Sequence, residues 1–123
     1  DHYRRALADR PGVSFMPIAP FGPADDPRGA AGGWNGWLTC MTFDDPSRRD
    51  AVQAALAAVD IESRPLWKPM HLQPVWADAP AVVDGTSEAL FDRGLCLPSG
   101  SGLSDDDVNR VVAGLLGAVR SRP

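Results

Sequence analysis

Trp34-Asn35-Gly36-Trp37-Leu38-Thr39-Cys40-Met41-Thr42-Phe43-Asp44-Asp45-Pro46 holds a strand and the start of a helix side by side. Trp37, Thr39, Met41 and Phe43 fall on one face of the alternation, and Leu38, Cys40 and Thr42 on the other. Both faces are largely apolar, which predicts a strand in the middle of a sheet. Asp45-Pro46 then supplies a capping carboxylate and a proline at the first helical position. The predicted helix runs to about Val59. Val52, Leu56 and Val59 face inward, and Ala51, Ala55 and Ala58 form a small-residue flank that can approach a sheet closely.

On the N-terminal side, Asp1 to Ala8 reads as the last turns of a helix, with Tyr3 and Leu7 inward and Arg10-Pro11-Gly12 ending it. Val13 to Ile18 is a short strand candidate. Ala19 to Gly33 is rich in proline and glycine and reads as a loop. On the C-terminal side, Ile61 to Trp67 is a further strand candidate. Pro65, Pro69 and Pro74 then forbid both helix and central strand, leaving a fixed irregular segment or a sheet edge. Thr86 can cap a short helix over residues 87–92, ended by Gly94. Leu95-Cys96-Leu97 is a short apolar strand stopped by Pro98. Ser104 caps the last helix, whose first turn carries Asp105, Asp106 and Asp107 at the positive end of the dipole. Val108, Val111, Val112, Leu115, Leu116 and Val119 give it a continuous apolar stripe. The predicted fold is α+β: a small sheet of three or so mostly antiparallel strands with helices packed on one face.

A chain of 123 residues, 44% hydrophobic and 23% charged, holds one domain with enough apolar residues for a core. The net charge is −4. The eleven arginines are scattered, which argues against nucleic acid and anionic membrane as partners. No run approaches a membrane span. No signal-peptide pattern opens the chain, and the reading of both cysteines as reduced goes with an expected cytoplasmic location. The first residue is Asp1 rather than methionine, so the sequence reads as a processed product or a piece of a longer protein. Cys40 and Cys96 lack CxxC spacing and are expected to be reduced, buried strand residues. With His2 and His71 they make no credible metal-ligand set, and no metal is expected.

The densest chemistry lies in Arg64-Pro65-Leu66-Trp67-Lys68-Pro69-Met70-His71-Leu72-Gln73-Pro74-Val75-Trp76. A guanidinium, an ammonium, an imidazole, an amide and two indoles are held there by three prolines, which lower the entropy cost of fixing a loop. Composition alone leaves two readings open: a binding loop, or an edge segment whose indoles pack on the core while Lys68 and His71 are solvated. His71 is a candidate acid or base without a visible partner. A Cys96–His71 hydrolase dyad is disfavoured, because Cys96 sits in an apolar run. Pro98-Ser99-Gly100-Ser101-Gly102 precedes a helix, but three aspartates in that helix's first turn would repel a phosphate, so it reads as a plain turn.

Arg64 to Pro74 and Leu90-Phe91-Asp92-Arg93-Gly94-Leu95-Cys96-Leu97-Pro98-Ser99-Gly100-Ser101 together resemble the C-terminal part of the DegT/StrS-type sugar aminotransferases. Asn35-Gly36-Trp37-Leu38-Thr39 resembles their N-x-W-L strand, and Leu103 to Val108 resembles the L-[ST]-x-x-D start of their last helix. The Pro-Leu-Trp-Lys-Pro-Met-His form is similar to the subgroup acting on UDP-linked 4-keto sugars. The resemblance implies fold-type I and a pyridoxal 5'-phosphate (PLP) cofactor. It implies transfer of an amino group from an amino acid, glutamate in most relatives, to a keto-sugar nucleotide, and a homodimer. Residues 1–123 would be the small C-terminal domain, with 1–10 the end of the interdomain helix. The large PLP-binding domain, with its Schiff-base lysine, would lie outside this sequence, so the resemblance assigns no catalytic residue to this chain and expects the chain alone to be inactive. It places His71 at the mouth of the pocket, with Trp67, Lys68, Met70 and Gln73 shaping it. Arg64 or Lys68 would face an anionic group. Two other classes stand beside this one: a stand-alone, non-catalytic binding or regulatory module derived from that domain, and an unrelated small hydrolase using His71 and Cys96.

Overall fold

In a computed structural model, which describes residues 2–16 and 37–120, the expected central strand is β2, Thr39–Phe43. Around it stand α1 (His2–Leu7), β1 (Val13–Phe15), α2 (Pro46–Ala57), β3 (Arg64–Pro65), α3 (Thr86–Arg93), β4 (Gly94–Leu97) and α4 (Asp105–Arg120). The sheet order is β1-β2-β4-β3, and every neighbouring pair is antiparallel. Met41 pairs with Leu95, Thr39 with Leu97, and Val13 with Phe43. One face of the sheet therefore presents Met41, Phe43, Leu95 and Leu97 to the core. Tyr3 and Leu7 of α1, Val52 and Leu56 of α2, and Val111, Leu115 and Val119 of α4 close over it. The expected α+β architecture, a small antiparallel sheet of three or so strands with helices on one face, is thus found, with four strands. The expected loop at 19–33, and the expected strand residues Pro17, Ile18 and Trp34 to Gly36, lie outside the described residues.

Three local expectations need correction. Val59 is 48% exposed, not inward. The helix closes before it in a Schellman turn: the Ile61 N–H donates to Leu56 O at 3.0 Å and the Asp60 N–H to Ala57 O at 3.1 Å. Asp60 takes the left-handed position with φ of 57°, a role that a short polar side chain tolerates. Ile61, 4% exposed, then enters the core in place of Val59. The strand predicted over 61–67 shrinks to Arg64–Pro65 at the sheet edge. Pro65 has no N–H for a ladder, and pairing ends with the Leu66 N–H on Gly94 O at 3.2 Å. Helix α3 begins at Thr86 itself. Gly85, at φ 82°, is its cap, and the Asp84 carboxylate accepts from the Thr86 N–H at 2.9 Å.

The other two helix starts follow their sequence signals. Asp45 accepts from the Ser47 N–H at 2.7 Å. Ser104 and Asp107 cap each other, with the Ser104 N–H on Asp107 Oδ2 at 2.9 Å and the Asp107 N–H on Ser104 Oγ at 3.2 Å. Hydrogen bonds from Ser47, Thr86 and Ser104 hold the carboxyls of Asp45, Asp84 and Asp107 below the ordinary carboxylate range. Carboxyls lowered in this way contribute stability that is present at neutral pH and lost as pH falls through their folded-state values.

The opposite sheet face carries the cysteines. Cys40 and Cys96 are directly opposed in register, with their sulfurs 3.7 Å apart and both thiols free. Cys40 O accepts from the Met16 N–H on the β1 side, so toward β4 this is a non-hydrogen-bonded pair, the closer of the two antiparallel kinds. Burial, with Cys40 beside it, pushes the Cys96 thiol from 9.0 up to about 12. The folded state therefore keeps a proton that the unfolded chain releases near pH 9, so stability falls as pH climbs from about 9 toward 12. Iodoacetamide at pH 8 is expected to label Cys96 only after denaturant is added, since the thiolate is the reactive form. Labelling of Cys96 in the native protein at the rate of a free thiol would contradict this.

Candidate functional site

The proline-rich segment folds as two short 3-10 turns, Met70–Leu72 and Pro74–Trp76, joined at Gln73. Pro69 O accepts from the Leu72 N–H and Met70 O from the Gln73 N–H, both at 3.0 Å, and Gln73 O from the Trp76 N–H at 2.9 Å. The Gln73 side chain folds back, donating to Lys68 O at 3.2 Å and lying 3.5 Å from Met70 Sδ. Pro69 is buried and Lys68 exposed. The loop is thus held by its own backbone, as three prolines predict, and Gln73 is one of its braces.

Its side chains face three ways. Trp67, 62% exposed, lies against Trp37, 66% exposed, with ring centroids 5.6 Å apart and planes at 40°. Met70 is 58% exposed. His71 turns inward, 19% exposed, and its Nε2 meets Glu88 Oε1 of α3 at 2.7 Å. Arg64 stands in solvent on β3, with its guanidinium on Glu62 Oε1 at 2.6 and 2.8 Å. Exposed pairs of this kind contribute little to stability, but Glu62 partly neutralises the charge that Arg64 offers an anion.

A cleft of about 780 Å³ opens between the sheet end and α4, lined in part by Ile61, Leu97, Val111 and Arg110. Arg64 and Trp67 border it, whereas Lys68, Met70, His71 and Gln73 do not. Apart from Arg64 on β3, the candidate residues therefore share one loop without forming one closed pocket among the described residues. Val75, Trp76, Val82 and Val83, which follow in the chain, are also exposed.

Two residues of this face, Trp37 and Glu88, are not among the candidate site residues, although Trp37 lies in the Asn35-Gly36-Trp37-Leu38-Thr39 motif. Trp37 alternates with the β2 core residues, but β2 starts only at Thr39, and the indole lies 66% exposed with its ring tilted against that of Trp67. Glu88 looks like an ordinary acidic residue in a helix's first turn. Only the tertiary fold reveals its contact with His71.

The hydrolase reading finds no support. Cys96 faces Cys40 rather than His71, and its thiol is held protonated. The Ser99 hydroxyl is committed to the fold: it donates to Leu97 O at 2.9 Å and accepts from the Thr39 N–H at 2.8 Å, as a strand-to-helix turn requires. Tyr3 adds a hydrogen bond from its hydroxyl to Pro98 O at 2.9 Å. Among the described residues, no three His, Cys, Asp or Glu side chains gather as a metal site, and no helix is long and apolar enough to cross a membrane.

Comparison with known proteins gives the arrangement a family. A protein of Bacillus subtilis (strain 168) described as a pyridoxal phosphate-dependent aminotransferase, EpsN, is 43% identical over 119 residues, covering 93% of this chain and 28% of that protein. The GDP-perosamine synthase of Caulobacter vibrioides is 42% identical over 67 residues, 54% of this chain and 18% of that protein. The fold matches the crystal structure of the aminotransferase TlmJ from Streptoalloteichus hindustanus with a TM-score of 0.77 at 22% identity, over 96% of this chain and 29% of that one. The chain thus spans less than a third of the length of these relatives. The model of the DegT/DnrJ/EryC1/StrS aminotransferase family matches residues 1–116, and the chain belongs to that family.

Proposed function

We propose that the intact protein is a PLP-dependent aminotransferase that moves an amino group from an amino acid, glutamate by the family resemblance, to a keto-sugar nucleotide. We take the acceptor to be a UDP-4-keto-6-deoxy sugar of glycan or exopolysaccharide biosynthesis, and the enzyme to be a cytoplasmic homodimer. The observation that carries this is the family match over residues 1–116. EpsN supports the cofactor, and GDP-perosamine synthase, by its name, supports a nucleotide-sugar product.

The residues of this chain do not by themselves fit the cofactor. Lys68 is the only lysine, and it stands exposed between Trp67 and Pro69. A Schiff-base amine is instead activated by an apolar pocket or a cationic neighbour. The attachment lysine then belongs to a large N-terminal domain outside residues 1–123, and the chain alone is expected to be inactive. When bound, PLP supplies the electron sink for moving the amino group. The part of residues 64–76 in this reading is to border the sugar nucleotide. Trp67 and Met70 offer apolar surface, Lys68 and Arg64 offer charge to phosphate or carboxylate, and His71 offers a ring nitrogen held in place from behind.

The test is an intact mass and a visible absorbance spectrum of the natural full-length gene product. A mass well above the 13.1 kDa of this chain, with a visible band that borohydride bleaches, is the expected result. A product no larger than this chain, with no such band, would overturn the enzymatic reading and leave a stand-alone module.

A further inference from the structure

Glu88 matters because of what the rest of the loop leaves unfixed at His71. The backbone around His71 is pinned by the Pro69–Leu72 and Met70–Gln73 hydrogen bonds, and prolines flank the turn on both sides. None of these contacts sets the rotation of the imidazole or decides which ring nitrogen carries the proton. Among the described residues the ring makes one hydrogen bond, from Nε2 to Glu88 Oε1 at 2.7 Å. That is at the short end for a nitrogen donor on a carboxylate.

An ionised carboxylate only accepts, so the nitrogen facing it carries the hydrogen. A neutral His71 is then the Nε2–H tautomer, and Nδ1 is left as an acceptor. Glu88 is itself rigidly mounted. It lies in the first turn of α3, whose start is tied by Asp84 and whose end passes directly into β4, a strand paired on both sides. The ring is thereby referred to the middle of the sheet rather than to its own loop.

We propose that Glu88 is a positioning residue for His71, fixing the ring as an Nε2–H donor and leaving Nδ1 to accept from a hydroxyl or amine of the ligand. This rests on the placement of His71 beside the sugar-nucleotide pocket. Glu88 touches no ligand in this scheme and acts only through the ring.

The experiment uses the full-length protein with His71→Ala, Glu88→Ala, Glu88→Gln and the His71→Ala/Glu88→Ala double variant. The first readout is independent of turnover: a proton-detected nitrogen spectrum with labelled histidine, in which His71→Ala identifies the His71 signal. A protected Nε2–H resonance is expected in the parent protein and lost in Glu88→Ala. Its absence from the parent, or its survival in Glu88→Ala, would overturn the proposal whatever the substrate.

The second readout is the steady-state rate with a UDP-4-keto-6-deoxy sugar and glutamate. Glu88→Ala is expected to lower activity on the order of 10-fold, since small misplacements of an active-site group are costly. It should divide its effect between kcat and KM as His71→Ala does, with Glu88→Gln intermediate. The double variant should be no worse than His71→Ala alone, because a residue acting through the ring has nothing left to lose once the ring is gone. Additive losses, or full activity in Glu88→Ala beside an impaired His71→Ala, would overturn the positioning role. Full activity in His71→Ala would instead remove His71 from the pocket, while the resonance still decides whether Glu88 holds the ring.

Discussion

Gly94→Ala is expected to destabilise the protein by about 3 kcal/mol or more, as overpacking beside an immovable backbone does. Gly94 is buried where α3 passes into β4 without a linking residue. Its φ of −98° and ψ of 144° are open to any residue, so the cost is steric rather than torsional. An added Cβ would overlap Leu66 Cδ1 and lie 2.5 Å from both Leu66 Cγ and the Leu90 carbonyl oxygen. A leucine side chain can swing aside, but the Leu90 carbonyl belongs to α3. Nor can the strand retreat, since Gly94 pairs with Thr42 on one side and accepts the Leu66 N–H on the other. Denaturant midpoints of Gly94→Ala and Gly100→Ala make the comparison. Nothing lies within 4 Å of a Cβ at Gly100, so that variant should unfold like the parent. Equal midpoints for the two would contradict the steric account.

Gly94 also shows where sequence reading stops. The helix end and the apolar strand on either side of it are legible locally, from a glycine after a helical stretch and from three apolar residues in a row. Its close approach to Leu66 is not, because those residues meet only through the β3–β4 pairing. The same division runs through the chain. Asp45-Pro46, the Ser104 cap and the stripe from Val108 to Val119 act within one turn or one helix face, and each appears in the fold as expected. Val59, Trp37 and the ends of the 61–67 stretch lie where a local period is carried beyond the point at which a turn or a proline breaks it. At the candidate site, the prolines announce a fixed loop and the loop is fixed. Glu88, by contrast, is 17 positions from His71, and no local pattern joins them. The family motifs point to the loop, while the direction in which each side chain faces comes from the tertiary contacts.

Leu115→Ala and Trp67→Ala each remove a large apolar side chain, yet they should fail in opposite ways. Leu115 is fully buried at the centre of α4, within the cluster that includes Leu7, Leu56 and Leu95. Truncation leaves a cavity walled by two other helices and the sheet, and should cost about 2–5 kcal/mol. Trp67 has 62% of its surface in water, and its ring contact is with Trp37, itself exposed. Its loss removes an aromatic pair contributing about 0.5–1.5 kcal/mol, and the exposed setting favours the lower end. An exposed indole at position 67 does little for this fold, so its place on the loop that carries Lys68 and His71 is read through what it would meet. If it borders the nucleotide sugar, Trp67→Ala in the full-length enzyme should keep its melting temperature and raise KM for the sugar substrate. Leu115→Ala should lower the melting temperature and leave KM alone at temperatures where it remains folded. A Trp67→Ala enzyme with unchanged kinetics and a large loss of stability would make Trp67 a structural brace, and would remove the apolar wall from the proposed pocket.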